Sequence, residues 1–233
     1  MNQGKLIENS APIGILGGTG AEGSGLALRF GMAGHPVIIG SRNAQNAREK
    51  AQALQQRLGQ AGYSGGTYSG RENAEVASLS RLLLLTAPFE HAGELLSSCR
   101  DAIQNNTILI DATVPLRFES RQPEMLELAE GSGSQHLAQF LPKQCQIVAC
   151  FKTIPAHVLL ETGSILDCCE FVCGDSQEAK TQVIEILSDI HGLRPLDAGP
   201  LKMARTLEQM TILAIRLNQR YKTRSSRFSI VGF

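Results

Sequence analysis

The sequence predicts an α/β chain built on a doubly wound parallel sheet, with a small α/β lobe at its C-terminal end. Three observations carry that prediction. Short continuous apolar runs, such as residues 12–16 (P-I-G-I-L) and 81–86 (R-L-L-L-L-T), read as strands buried on both faces. Stretches with helical spacing separate those runs, and the alternation calls for right-handed βαβ crossovers. A glycine cluster, Gly18-Thr19-Gly20-Ala21-Glu22-Gly23, falls where the first run meets the first helix.

Taken in order, residues 12–16 form the first strand and 21–33 the first helix, which Gly34-His35-Pro36 ends. Residues 37–40 form the second strand. Residues 43–58, rich in Ala and Gln, form a polar helix closed by Gly59 and Gly62. The loop-like stretch 62–70 has room for one short edge strand. A short helix at 71–78 leads to the apolar strand 81–86, then a helix at 89–99 and a strand at 107–111 (T-I-L-I-D). Residues 118–133, with Gly131-Ser132-Gly133-Ser134, read as a loop, followed by a helix at 136–141 and a strand at 146–149. Beyond residue 150 the pattern changes. It gives a proline-containing turn, a strand near 171–173, a helix at 177–191, a strand at 193–196 and a long helix at 202–221. The chain therefore divides into a sheet domain at 11–149 and a smaller unit at 150–233. Residues 1–11 read as a frayed polar tail.

The totals narrow the classes. Lys plus Arg and Asp plus Glu both number 22, so no net field favours nucleic acid or an anionic membrane. No apolar run approaches the roughly 20 residues that span a bilayer. The six cysteines follow neither a zinc pattern nor a disulfide framework, and without a secretory signal they are expected to stay reduced in a cytoplasmic protein. No metal site is expected.

The glycine cluster has a specific mechanism. Gly18 and Gly20 permit a tight turn and close approach to a pyrophosphate, and Gly23 allows helix and strand to pack closely. The helix N-terminus then offers unpaired N–H groups to the anion. This makes the sheet Rossmann-type and predicts a dinucleotide. Such loops expect Asp or Glu about 20 residues on, to hold the ribose 2′-hydroxyl. Ser41 and Arg42 stand there instead. A carboxylate would repel a 2′-phosphate, whereas Arg offers a fork of donors and Ser another, so the expected cofactor is NADP(H).

Several further segments extend the pattern. They are Gly25-Leu26-Ala27-Leu28-Arg29-Phe30, Thr86-Ala87-Pro88-Phe89-Glu90-His91-Ala92, Thr153-Ile154-Pro155-Ala156, Val172-Cys173-Gly174-Asp175 and residues 192–201 (G-L-R-P-L-D-A-G-P-L). With G-I-L-G-G-T-G and G-S-R-N, this series resembles the NADPH:F420 oxidoreductases over nearly the whole chain from Ile13. The resemblance implies hydride transfer between NADP(H) and the deazaflavin F420. It implies cofactor contacts from the Gly18–Gly23 cluster, with Thr19, Ser41, Arg42 and the adjoining Asn43 at the adenosine phosphates. Thr86, Ala87, Pro88, Phe89 and His91 would border the nicotinamide. The turn Lys152, Thr153, Ile154, Pro155 and Ala156 would line the second ring. Two positions depart from the family. Asn43 to Asn46 replace a basic residue, with Arg48 one turn on, and Lys152 replaces a histidine. A cation suits the N1–C2 carbonyl edge of a reduced flavin or deazaflavin, so Lys152 is expected to face that edge.

The acceptor is left open between F420 and a flavin such as FMN or FAD. Flavin use is also suggested by the similar cytosolic domains of membrane ferric reductases. Two other readings stand beside hydride transfer between coenzymes. One is an NADPH-dependent reductase of a small carbonyl or imine; the other is a non-catalytic NADP(H)-binding redox sensor. Apolar Met203, Leu207, Met210, Leu213, Ala214 and Leu217 mark one stripe of the last helix, and the resemblance implies a homodimer that shares this face. The basic stretch 220–227 is expected to be a solvated end.

Overall fold

The computed structural model describes residues 11–120 and 122–232, so most of the expected N-terminal tail lies outside the described residues. The chain opens with β1 (Ile13–Leu16), α1 (Ala21–Met32), β2 (Val37–Ser41), α2 (Ala44–Gln60), β3 (Tyr68–Glu72) and α3 (Asn73–Leu79). It continues through β4 (Leu82–Leu85), α4 (Phe89–Cys99), β5 (Ile108–Asp111), a hairpin of β6 (Leu116–Glu119) and β7 (Gln122–Met125), α5 (Gly133–Ala138) and β8 (Gln146–Ala149). The last part holds α6 (Ala156–Leu160), β9 (Cys168–Cys173), α7 (Gln177–Ser188), β10 (Leu193–Gly199) and α8 (Ala204–Tyr221).

One eight-stranded sheet runs in the order β10-β9-β8-β5-β4-β1-β2-β3. The six strands from β3 to β8 are parallel, and chain order departs to opposite sides of β1. That divergence leaves a crevice at the strand ends between β1 and β4, where doubly wound sheets bind ligands. Strands β1, β4 and β5 are buried throughout. Alternate residues feed opposite layers: Leu82 and Leu84 pack with α1, α2 and α6, and Leu83 and Leu85 with α3, α4 and α8.

Residues after 150 build no sheet of their own. β9 meets β8 antiparallel through Ala149 and Cys173, and β10 extends β9 in parallel. Hydrogen bonding is thus continuous where strand direction reverses. Two expectations change. The stretch 118–133, read as loop, begins within the hairpin β6–β7. The proline turn after 150 contains α6. In the basic stretch 220–227, Arg220, Lys222 and Arg224 are exposed as expected, and the chain is pinned only beyond it: Cys169 N–H donates to Phe228 O at 2.8 Å, and Phe228 and Ile230 pack on the core. The edge strand suspected at 62–70 is β3, displaced toward Glu72.

Arg29 joins the early and late parts of the fold. It is 2% exposed and carries its charge into the α1–α6 contact. Its guanidinium donates to Leu159 O (2.9 Å), Val158 O (2.8 Å), Glu161 O (2.5 Å) and Ser164 O (3.1 Å). A planar fork satisfies the carbonyls around the end of α6, which a short helix leaves unpaired. Arg29→Lys is expected to lower unfolding free energy by roughly 2–4 kcal/mol in a urea titration, because an ammonium cannot reach four fixed acceptors. An unchanged midpoint would show that these bonds carry no stability.

Candidate active site

The crevice opens into a cleft of about 510 Å³, within the range that holds a cofactor and part of a second ligand. Gly20, Ala21 and Glu22 at the start of α1 form one wall. The segments after β4 (Thr86 to Phe89), β5 (Ala112 to Val114) and β8 (Phe151 to Ala156) form the floor and far side. Thr211, Ala214, Ile215 and Asn218 of α8 close it.

The loop before α1 is shaped by backbone geometry. Gly17, just ahead of the recognised cluster, sits at φ +71° against Ala87 and tolerates no side chain without strain. A Cβ on Gly23 would lie 2.6 Å from Gly18 Cα, so the close packing foreseen for it is real. Gly18 N–H donates to Gly40 O at 2.9 Å, and Asn73 Oδ1 accepts from Gly17 N–H at 3.1 Å. Gly20 caps α1 without a side chain, so the first N–H groups of the helix stay open to an anion.

At the end of β2, Ser41 is buried and its Oγ accepts from Asn43 N–H at 3.3 Å. Asn43 is the N-cap of α2, its Oδ1 taking Gln45 N–H (2.8 Å) and Asn46 N–H (3.3 Å). That amide oxygen is committed to the helix. Arg42 is exposed and, among the described residues, pairs with no carboxylate. These donors suit an extra phosphate.

The turn after β8 departs most from expectation. Phe151 adopts φ +55°, an αL conformation that costs a non-glycine residue about 1–3 kcal/mol. Glu170 Oε1 holds it there, accepting Phe151 N–H at 2.6 Å, while the Phe151 ring packs edge-on against Phe30. The next side chain, Lys152, is driven inward. Its Nζ lies 2.9 Å from Asp111 Oδ2, 2.5 Å from Thr113 O and 3.6 Å from Glu208 Oε1, with none of the side chain exposed. Its ammonium is thus engaged by protein acceptors, although Lys152 itself is among the residues that line the cleft. Thr153, Ile154, Pro155 and Ala156 also line the cleft.

His91 also falls outside. Its side chain is 63% exposed beside Glu90, and it does not reach the cleft that Thr86, Ala87, Pro88 and Phe89 line. At 3.6 residues per turn, His91 lies roughly 200° around α4 from Phe89, which lines the cleft.

Sequence reading missed Asp111, Glu208, Asn73, Glu170 and Gly17. Asp111 accepts from Thr113 N–H (2.9 Å), Thr113 Oγ1 (2.7 Å) and Ser134 Oγ (2.6 Å) besides Lys152. Glu208 accepts from Gly133 N–H at 3.0 Å, and burial raises its pKa against the opposing pull of Lys152. A carboxylate ending an apolar strand and a glutamate beside Leu207 on a helix both demand buried partners, which was the available signal. Burial pushes Glu22 up to about 8, with Glu170 adding to it. Burial likewise raises Glu170 to about 7.

A chain with this cleft has relatives of known kind. It is 36% identical over 223 residues to the F420-dependent NADP reductase of Methanothermobacter thermautotrophicus, covering 94% of both proteins. The chain belongs to the F420-dependent NADP reductase family. The reductase of the same name from Methanocaldococcus jannaschii is 32% identical over 222 residues, covering 94% of this chain and 98% of that one. The family model for coenzyme F420-dependent NADP oxidoreductase matches residues 12–115, the Rossmann half of this family member. A solved structure from Arthrobacter sp. FB24, proposed to be an F420-dependent NADP-reductase, superposes with a TM-score of 0.77. It is 24% identical, with 94% of this chain and 99% of that chain covered, which shows the shared fold. Among the described residues, no helix is long and apolar enough to cross a membrane.

Two outcomes follow for this reductase-family site. Lys152→Met leaves Asp111 and Glu208 as unpaired buried acids and is expected to cost about 3–5 kcal/mol of stability. Adding Asp111→Asn and Glu208→Gln should recover a large part of it. A lysine that served only a ring edge would instead slow turnover with the melting curve unmoved. Separately, Glu22 binds its proton more tightly folded than unfolded, so the native state holds more protons between about pH 4.5 and 8. Stability therefore falls as pH rises through that window. The fall in Tm from pH 5 to 8 should be smaller in Glu22→Gln; an equal fall would assign it to other groups.

Proposed function

We propose that this protein transfers hydride between NADP(H) and coenzyme F420. The observation that carries the reading is that three features follow the C-terminal ends of parallel strands in one sheet. They are the uncapped start of α1, the unpaired Arg42 beyond β2 and the Thr153–Ala156 wall. NADPH supplies a hydride from its nicotinamide C4, and the deazaflavin accepts it.

The protein's part is to bind, orient and exclude water. The open N–H groups at Ala21, Glu22 and Gly23 face a pyrophosphate with the positive end of the helix dipole. Ser41 and Arg42 meet the 2′-phosphate, with Thr19 beside them. Thr86, Ala87, Pro88 and Phe89 form the shelf for the nicotinamide. Thr153, Ile154, Pro155 and Ala156 present a flat, largely apolar surface for the acceptor ring. Hydride transfer between two bound rings depends on holding the carbons near contact distance, so placement is the chief contribution. Lys152 acts as a positioning residue: it fixes the turn from behind while touching neither ring. The fold is compatible with a homodimer working in the cytoplasm. In support, Leu213 of α8 is 48% exposed and Phe118 on the hairpin 61%.

The test is direct. Purified protein mixed with NADPH and F420 should bleach the nicotinamide band and the oxidised deazaflavin band together. Turnover with FMN or FAD but not F420 would reassign the acceptor. Consumption of NADPH only with a small carbonyl or imine would favour the reductase alternative. Binding without turnover on any acceptor would favour the sensor. Arg42→Ala should weaken NADP(H) binding roughly 10- to 100-fold, the equivalent of charge-assisted hydrogen bonds, while leaving NAD(H) binding unchanged. Equal losses for both nucleotides would place Arg42 away from the 2′-phosphate.

A further inference from the structure

Among the described residues, two polar atoms on residues that line the cleft, and a third on β9, have no hydrogen-bond partner. Glu22 Oε1, Glu170 Oε2 and Thr153 Oγ1 are each shut off from solvent without a hydrogen bond. Glu22 sits in the first turn of α1, where a carboxylate would ordinarily gain from the helix dipole. Here it lines the cleft beside the open N–H groups, with another carboxyl behind it. Glu170, on β9, is 1% exposed and spends its other oxygen on Phe151 N–H and the Cys150 thiol.

The neighbours give this wall little means to hold two negative charges. From the turn after β8 comes Lys152, whose ammonium is engaged by Asp111 and Glu208. Just past β8 comes the Cys150 thiol, itself pushed well up by burial. The segment after β4 and the facing turn of α8 bring to the cleft only uncharged groups. Two buried carboxyls so placed cannot both ionise cheaply.

We propose that NADP(H) binding is linked to a proton on Glu22, held there by Glu170: the cleft takes the cofactor when that carboxyl is neutral. The inference rests on the NADP(H) site read above. The cofactor's pyrophosphate would bring negative charge to the start of α1, the turn that carries Glu22. An ionised Glu22 would repel it across a poorly solvated wall, whereas a neutral acid offers an O–H donor. Binding and protonation then favour each other by equal amounts, as linkage requires. The cofactor raises the proton affinity of Glu22, and above that group's titration each unit of pH weakens cofactor binding by up to tenfold. Nothing is oxidised in this step. One proton passes from solvent to a Glu22 oxygen and stays until the cofactor leaves.

The experiment is calorimetric titration of the wild-type protein with NADP+ between pH 7.5 and 9.5, in two buffers of different ionisation enthalpy. This range lies above the 2′-phosphate's own ionisation near pH 6. The expected result is net uptake approaching one proton per site, with Kd rising up to tenfold per pH unit at the alkaline end. Glu22→Gln should bind with no uptake and a flat profile. Glu170→Gln, by removing the neighbouring charge, should move the onset of weakening to lower pH. A wild-type profile that is flat and free of proton uptake overturns the proposal without needing any variant to fold. Uptake that persists in Glu22→Gln also overturns it, by placing the proton elsewhere. No binding at any pH would instead bring down the NADP(H) reading itself, which separates the two failures.

Discussion

The buried ion cluster of Lys152, Asp111 and Glu208 is the constraint on which the site's shape depends. Its members come from the turn after β8, the end of β5 and the second turn of α8. Removing an ammonium and two carboxylates from water is costly, and the cost is offset only if all three elements stay in place. Ser134 Oγ and Gly133 N–H complete the cluster from the start of α5. Thr211 Oγ1 then donates to Lys152 O at 2.6 Å, so α8 holds the turn from both the side chain and the backbone. Four separate segments are thereby fixed around one charge.

That arrangement explains how a strained turn can serve as a wall. Phe151 stays in the left-handed region because Glu170 holds its N–H, the ring packs on Phe30, and the following lysine is anchored inside. The turn commits the Lys152 ammonium to Asp111 and Glu208, while Thr153 to Ala156 line the cleft. Arg29 secures the other end by satisfying the carbonyls around the C-terminus of α6. The apolar wall therefore rests on charged groups that never reach solvent.

The two halves of the cleft differ in what holds them. The side formed by α1, β2 and β4 depends on close backbone packing at Gly17 and Gly23 and on parallel strands buried on both faces. The side formed by the β8 turn and α8 depends on buried charge. The first is suited to a fixed phosphate cradle and the second to a surface whose ionisation state matters. Glu22 stands where they meet.

The sequence by itself determined the parallel sheet, the glycine loop and the preference for a 2′-phosphate. Each of those is written in contiguous residues: apolar runs such as L-L-L-L at 82–85, G-x-G-x-x-G at 18–23, and Ser41-Arg42 where an acid would otherwise stand. Local spacing was enough because strands, turns and caps are set by near neighbours. The tertiary structure alone decided the direction of Lys152, the exclusion of His91 and the partners of Asp111 and Glu208. It also decided that the residues after the basic stretch, Phe228 and Ile230, return to β9. The stripe on α8 shows the same limit: Leu213 reads as apolar face yet is 48% exposed, while Glu208 on the same helix is 1% exposed. A helix's spacing says that it has a buried face, but a charged residue joins that face only when an opposite charge waits there. That partner, 56 residues earlier in the chain, is brought close by folding alone.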